Sequence, residues 1–270
     1  MAYGVLGPRG THSLEAAYHY WGNEVNLQIA HSISDLFKLV DEGRVDGALV
    51  PMENSLSGSV SETLNCLESY EAYIKGEITI PIQQHLLANG LYELNDIELL
   101  ISQPVALAQC EEYIHTHLSR VRVEIASSTA RAAEIVQNES RKAACIGSNK
   151  LSEFYYLHTI KNNISNKNNL TRFVHISSDR NTEQGNKSSM IFTLPDSPGT
   201  LYNTLGVFAS QNINLNKIES RPSKSCHGYF TFYIEITCSE AQLNVKKLLL
   251  KLEKYCSNIR FLGSYKNRNQ

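Results

Sequence analysis

From residue 188 onward the apolar positions keep the period of regular structure. Met190, Phe192 and Leu194 alternate with neighbours of the other face, as a half-buried strand requires. Asp196-Ser197-Pro198 follows, which predicts a helix capped by Ser197 with Pro198 in its first turn and Leu201, Leu205, Phe208 and Ala209 as its apolar face. Ile213 and Leu215 open a second strand. Phe230, Phe232, Ile234 and Ile236 line one face of a third, and Tyr229, Thr231, Tyr233 and Glu235 line the other. Ser239 is the expected cap of a helix striped by Val245, Leu248, Leu249 and Leu252. Ile259, Phe261 and Gly263 mark a fourth strand. The order βαββαβ predicts a ferredoxin-like sandwich.

The preceding residues alternate differently. A strand at 2–6 leads to a helix from about residue 13, and a second helix carries Ile33, Leu36, Phe37 and Val40 on one stripe before Gly43. Val45–Val50 and Ile97–Ile101 read as strands, and Pro104 opens a helix over 104–117. Val121, Val123 and Ile125 form a strand, Ser128 caps a helix over 129–138, and Ala143–Ile146 is again a strand. Strands alternating with helices predict an α/β domain with mostly parallel sheets. Between the two regions, Ser178–Lys187 holds no apolar residue. The expected division is therefore a domain at 1–178, a linker at 179–187 and a second domain at 188–270.

Composition adds exclusions. The chain has 270 residues and a net charge of −2, so no global basic field draws nucleic acid. Its apolar runs are far too short to span a bilayer, and the N-terminus lacks a signal-peptide pattern, so a cytoplasmic protein is expected. Six cysteines lack metal-ligand spacing and read as reduced thiols. No GxGxxG or P-loop occurs, and neither a cofactor nor a metal is expected.

Three polar clusters lie where α/β domains place their sites, just past the carboxyl ends of strands. Gly7-Pro8-Arg9-Gly10-Thr11-His12-Ser13 leads into a helix N-terminus suited to a carboxylate or phosphate, or is an ordinary capped turn. Pro51–Val60 presents Glu53, Asn54, Ser55, Ser57 and Ser59 after a buried strand, as a ligand-binding rim or as a surface loop. Asn169-Leu170-Thr171-Arg172-Phe173 enters a strand that is either functional or a routine edge.

Taken together and in this order, the clusters resemble the prephenate dehydratase family. The likeness rests on Gly7–Ser13 (GPxGTxS), Pro51–Val60 (PxENSxxGSV) and Asn169–Phe173 (NxTRF), then on Gly199–Leu201 (GxL) and Ile213–Pro222 (INLxKIESRP) of a C-terminal ACT regulatory domain. His12, Gln103, Ser188 and Thr200 depart from the usual pattern. The absence of a preceding helical chorismate mutase module suggests the monofunctional form.

The resemblance implies a two-lobed catalytic domain similar to type II periplasmic binding proteins, followed by the ferredoxin-like ACT domain. It implies loss of water and CO2 from prephenate to give phenylpyruvate in phenylalanine biosynthesis. Thr171 would be catalytic, hydrogen-bonding the departing oxygen. Thr11, Ser13, Asn54 and Ser55 would hold the carboxylates, and Phe173 would pack on the ring. Arg172 either contacts the substrate or, because strand alternation turns it away from Thr171, braces the cleft through a carboxylate such as Glu53. The effector L-phenylalanine would bind at a subunit interface near Gly199, Thr200, Leu201, Asn214 and Leu215, with Glu219, Ser220 and Arg221 bracing that site or linking it to the catalytic domain. A homodimer or homotetramer follows from the same likeness. Arogenate as substrate, a ligand-binding protein without chemistry, and an amino-acid sensor are the competing readings.

Overall fold

The computed structural model describes residues 1–166, 169–180, 185–224, 226–237 and 245–268. The chain begins with β1 (Ala2–Leu6), α1 (His12–Trp21), β2 (Asn26–Ala30), α2 (Ile33–Asp41), β3 (Gly47–Asn54), β4 (Gly58–Ser59), α3 (Ser61–Ser69) and β5 (Tyr73–Pro81). It then crosses into a second lobe made of β6 (His85–Ala88), β7 (Leu99–Ser102), α4 (Pro104–Gln109), α5 (Glu111–His117), β8 (Arg122–Ile125), α6 (Thr129–Gln137), β9 (Ala143–Gly147), α7 (Lys150–Tyr155) and β10 (His158–Lys161). β11 (Leu170–Ser177) returns to the first lobe. The C-terminal region follows as β12 (Lys187–Pro195), α8 (Thr200–Ala209), β13 (Leu215–Pro222), β14 (Tyr229–Ile236), α9 (Val245–Leu252) and β15 (Ser257–Asn267).

The sheets are mixed rather than mostly parallel. β1 runs parallel to both β2 and β3, and β7 parallel to both β8 and β9. β11, however, lies antiparallel between β3 and β5. The cause is topological: the chain leaves the first lobe along β5 and re-enters along β11, so these neighbours run in opposite senses. β11 is thus a central strand and not an edge. The two crossings are tied where they meet, by Ile82 N–H to Asn169 O at 2.7 Å and Ile164 N–H to Gln84 O at 2.8 Å.

The C-terminal strands follow the order β15-β12-β14-β13, which is the ferredoxin-like arrangement of the βαββαβ unit. One sheet face packs on α8 and α9 through Met190, Phe192, Leu194, Phe232 and Ile234. The other lies on the first lobe, where Ile191, Tyr233, Leu262 and Tyr265 share a core with Leu36, Leu67 and Ile74. β15 also pairs with β5, so a ten-stranded sheet runs through both regions. Gly263 allows this approach: its φ is +128°, and a Cβ there would stand 2.7 Å from Ile74 O.

Local differences from the sequence reading have identifiable causes. The helix expected over 104–117 breaks at Cys110, which leaves the Gln109 carbonyl free to accept the Asn166 N–H at 2.9 Å. α8 starts at Thr200 instead of beside Ser197. Ser197 is used in a turn that receives the Thr200 hydroxyl at 2.9 Å, and left-handed Gly199 precedes the helix. The expected cap Ser239, and positions 181–184 of the expected linker, lie outside the described residues.

Candidate active site

The carboxyl end of β3 and the amino end of β11 meet at the junction of the lobes, with Asn54 opposite Thr171 in the register. Asn54 Oδ1 accepts from Leu56 N–H at 3.0 Å, Ser57 N–H at 3.1 Å and the Ser57 hydroxyl at 3.2 Å. Because backbone N–H groups only donate, they fix the orientation of this amide. Asn54 Nδ2 therefore donates to Thr171 Oγ1 at 2.9 Å and to Asn169 Oδ1 at 2.6 Å. With its oxygen already accepting, the Thr171 hydroxyl has a proton to direct elsewhere. Asn169 Nδ2 is a buried donor without a hydrogen-bond partner among the described residues.

Thr171, Asn54 and Asn169 line a cleft of ≈ 950 Å³ between the lobes. Pro51, Leu56 and Val60 give it an apolar wall on one side, and Val105 and Ala108 on the other. Gln103, Gln109 and Glu111 add polar groups from the second lobe, and Gln109 is held by Gln84 Nε2 at 2.9 Å. The expected substrate-binding residues include Asn54 and Ser55 but neither Ser57, Asn169 nor these second-lobe groups. Asn169 had a signal, since it opens the Asn169–Phe173 motif. The second-lobe groups had little, because they reach the cleft only through the fold.

Five expected substrate-binding residues are placed otherwise. Thr11 caps α1: its hydroxyl donates to Leu6 O at 3.2 Å and accepts Leu14 N–H at 3.4 Å, so it is already committed. Neither Thr11 nor Ser13, in the first turn of α1, is among the residues lining the cleft. Ser55 ties the loop to β11 by accepting Leu170 N–H at 2.9 Å, while its own N–H donates to Leu170 O at 2.8 Å. Phe173 is 2% exposed and packs with Val5, Leu14, Tyr20 and Leu49, so it belongs to the core and does not face a ring in the cleft. His12, whose role the sequence left open, pairs through Nδ1 with Glu15 Oε2 at 3.1 Å.

Arg172 is the fifth. It points to the opposite face of β11 from Thr171, as alternation demands. Its guanidinium meets Glu53 at 2.8 Å, Glu77 at 3.0 Å and Glu235 at 2.8 Å. Lys187 joins Glu77 at 3.0 Å and Glu235 at 2.8 Å, and Lys217 joins Glu53 at 3.0 Å. Burial opposes the charge on Arg172, yet Glu235 and Glu53 raise its pKa above the ordinary value. Burial likewise opposes ionisation of Glu53 and Glu235, but the facing cations hold both carboxyls below their usual range. Of the two roles open to Arg172, the contacts are those of a brace; it has no place in the cleft lining.

The expected effector residues fall into two groups. Gly199 (φ +83°), Thr200 and Leu201 lie at the start of α8, beyond the end of β12. Asn214 and Leu215 lie at the start of β13, and Leu215 pairs with Ile236, level with Ser188 at the other end of the sheet. At about 3.3 Å per residue, the length of β13 separates the two groups by roughly 20–25 Å within one chain. Glu219 and Arg221 face the first lobe instead. Arg221 donates to Glu219 Oε1 at 2.7 Å and to Ser61 O at 3.0 Å, and Lys217 donates to Ser59 Oγ at 2.7 Å. Ser220, between them, is exposed. This segment thus touches the loop that carries Asn54.

A two-lobed α/β domain with a polar interlobe cleft, bearing a ferredoxin-like domain on the outer face of its first lobe, defines the class. Comparison with known proteins gives the family. Residues 3–181 match the family described as prephenate dehydratase, and residues 188–254 match the ACT domain. The chain belongs to the prephenate dehydratase family. It is 37% identical to the prephenate dehydratase of Methanocaldococcus jannaschii, over 96% of this chain and 95% of that protein. It is 33% identical to the arogenate dehydratase/prephenate dehydratase 2 of Arabidopsis thaliana, over 96% of this chain and 71% of that protein. Its fold is similar to the crystal structure of the Arthrobacter aurescens prephenate dehydratase in complex with L-Phe. The TM-score is 0.90 at 28% identity, covering 100% of this chain and 91% of that one. Among the described residues, no helix is long and apolar enough to cross a membrane.

Proposed function

We propose that this chain converts prephenate to phenylpyruvate in the cleft beside Thr171, and that phenylalanine bound to its ACT domain regulates the reaction. The observation that carries this reading is the Asn54 Nδ2 to Thr171 Oγ1 bond of 2.9 Å at the interlobe cleft of a prephenate dehydratase family member. The ring loses CO2 from one carbon and its hydroxyl from the opposite carbon, and aromatisation drives both losses. The protein has to stabilise charge on the departing oxygen and anchor the substrate.

Each role has a candidate group. The Thr171 hydroxyl, polarised by the amide donating to its oxygen, gives a hydrogen bond to the departing hydroxyl as negative charge grows there. A threonine is too weak an acid to be the proton source by itself, so the proton arrives through Thr171 from water. The free Asn169 Nδ2 suits a carboxylate or keto oxygen of the substrate. The apolar walls, Pro51 and Val60 on one side and Val105 on the other, suit the carboxylate that leaves as CO2, because weak solvation favours the loss of its charge.

The test is direct: mix the protein with prephenate and follow phenylpyruvate by its absorbance in base. Turnover is expected, and a protein that binds prephenate without consuming it overturns the reading in favour of a ligand-binding protein. Arogenate is the second substrate to assay, because Glu111 places a carboxylate in the cleft wall that suits an ammonium group.

Phenylalanine regulation is supported by the L-Phe complex of the Arthrobacter aurescens relative. The separation of Gly199–Leu201 from Asn214–Leu215 within one chain favours a site completed by a second copy, hence a homodimer or homotetramer. β13 is an edge strand, with Ile218 44% exposed beside that edge. The division at 1–178, 179–187 and 188–270, with a cytoplasmic location, belongs to the same reading. Phenylalanine is expected to shift the midpoint of the activity curve in the wild type and to leave Gly199→Val unmoved. A Cβ-branched residue at φ +83° strains this turn by about 1–2 kcal/mol. An unchanged phenylalanine response in the variant counts against the placement.

A further inference from the structure

Six charged side chains meet where the ACT sheet covers the first lobe. Glu53, Glu77 and Arg172 come from β3, β5 and β11 of the first lobe, and Lys187, Lys217 and Glu235 from β12, β13 and β14 of the ACT sheet. Each set of strands is unbalanced alone, at −1 and +1, and these six charges are neutral only when both are present. Burial makes the balance matter: the Arg172 side chain is 12% exposed, and those of Glu77 and Glu235 are 3% exposed.

The cluster also borders the reacting group. In the register of β3 and β11, the pair Glu53–Arg172 directly adjoins the pair Asn54–Thr171. Immediately beyond Arg172 the register of these strands shifts, so the backbone ladder is interrupted at this point. β11 stays in register with β5 here, at Thr171–Ile80 and Arg172–Thr79, so the ionic cross-link from Arg172 to Glu53 is an added tie on the β3 side, at the bulge. Arg172 leaves one face of β11 and Thr171 the other, so the rotation of the strand about its axis sets both directions together.

We propose that Glu235, a side chain of the ACT domain, is a positioning residue for Thr171 and acts on it through Arg172. Glu235 Oε1 holds the guanidinium at 2.8 Å and accepts the Tyr233 hydroxyl at 2.8 Å, so its own place is fixed within the ACT sheet. Its loss leaves Arg172 with the two catalytic-domain carboxylates, of which Lys187 contests Glu77 and Lys217 contests Glu53. The strand then turns, and the Thr171 hydroxyl no longer meets the departing oxygen in line. The proposal rests on the reading of the cleft given above and adds a contribution from the regulatory domain to the geometry of the reaction.

The experiment compares Glu235→Gln with Glu68→Gln in the full chain. Glu68 also spans the junction, accepting from Ser223 Oγ at 3.0 Å and Thr231 Oγ1 at 2.9 Å, but it has no bond to Arg172. With prephenate, Glu235→Gln is expected to lower kcat about tenfold with KM within about twofold, since small misplacements of a reacting group cost this much or more. Glu68→Gln is expected to keep wild-type kcat. Amide hydrogen exchange over 170–173 should quicken in Glu235→Gln only. A wild-type kcat in folded Glu235→Gln, or an equal loss in Glu68→Gln, overturns the proposal. If Glu235→Gln does not fold, Tyr233→Phe decides, because it loosens Glu235 while keeping the charge. A two- to fivefold lower kcat is then expected, and an unchanged one is fatal. If the wild type does not turn over prephenate, the functional reading fails instead. Unchanged exchange over 170–173 in Glu235→Gln would then reject the positioning role by itself.

Discussion

Replacing Thr171 with alanine is expected to lower kcat about 10³-fold with little change in KM, while serine keeps activity within about tenfold. The alanine variant loses a hydrogen bond that matters only as charge develops on the departing oxygen, and such a donor contributes about 10²–10⁴-fold. Serine restores the hydroxyl at the same chain position. Asn54 Nδ2 remains to donate to its oxygen, since the amide is fixed by the backbone N–H groups of Leu56 and Ser57 and by the Ser57 hydroxyl. The fold should survive both changes. Thr171 is buried at 8% exposed, but it lines the cleft, and losing its hydroxyl deletes no large packing group. Steady-state kinetics on prephenate decide the matter. Near-normal turnover in Thr171→Ala, or a folded Thr171→Ser as inactive as alanine, would remove Thr171 from the mechanism.

The largest effect on stability is expected at the neighbouring position. Arg172→Met should lower the unfolding free energy by about 3–5 kcal/mol, because removing one member of a buried ionic group leaves its partners uncompensated. Three carboxylates converge on this guanidinium, and Glu77 and Glu235 are each 2% exposed. Lysine should recover only part of the loss. A single ammonium cannot span three carboxylates that a planar fork reaches at once. Denaturant titration of the three proteins is the measurement, with far-ultraviolet circular dichroism to show that each begins folded. Equal stability of Arg172→Met and the wild type would mean that the cluster is solvated in solution and contributes little.

The ACT region was the more legible half because its burial pattern is simple. Met190, Phe192 and Leu194 on β12, and Phe232, Ile234 and Ile236 on β14, face a common core, so alternation alone located both strands. The catalytic region hid several elements. β6 and β10 have four residues each and leave almost no periodic trace. β5 carries Lys75 and Glu77 within its span, and a charged residue in a short apolar run reads as surface. Glu77 is nevertheless buried, because Arg172 and Lys187 arrive from strands distant in the chain.

The site divides in the same way. Asn54 and Thr171 stood out as polar groups at strand ends, and such placement survives folding because it depends on local chain direction. Thr11, Ser55 and Phe173 take contacts other than those expected, because a residue type does not reveal what has already claimed it. Thr11 is claimed by a helix cap, Ser55 by the backbone of β11 and Phe173 by the core of the first lobe.

The order of residues by itself determined the family, the succession of elements in the ACT domain and the two polar segments that meet at the cleft, around Asn54 and Thr171. Those features follow from spacing along one chain, where periodicity and turn chemistry act over a few residues. Only the tertiary structure decided that Arg172 braces the ACT domain, that Gln109 and Asn169 share a cleft with Thr171, and that the two segments expected to bind the effector stand at opposite ends of a sheet. Each of those outcomes turns on the face a side chain takes and on the groups that long-range packing brings against it, and local spacing leaves both undetermined.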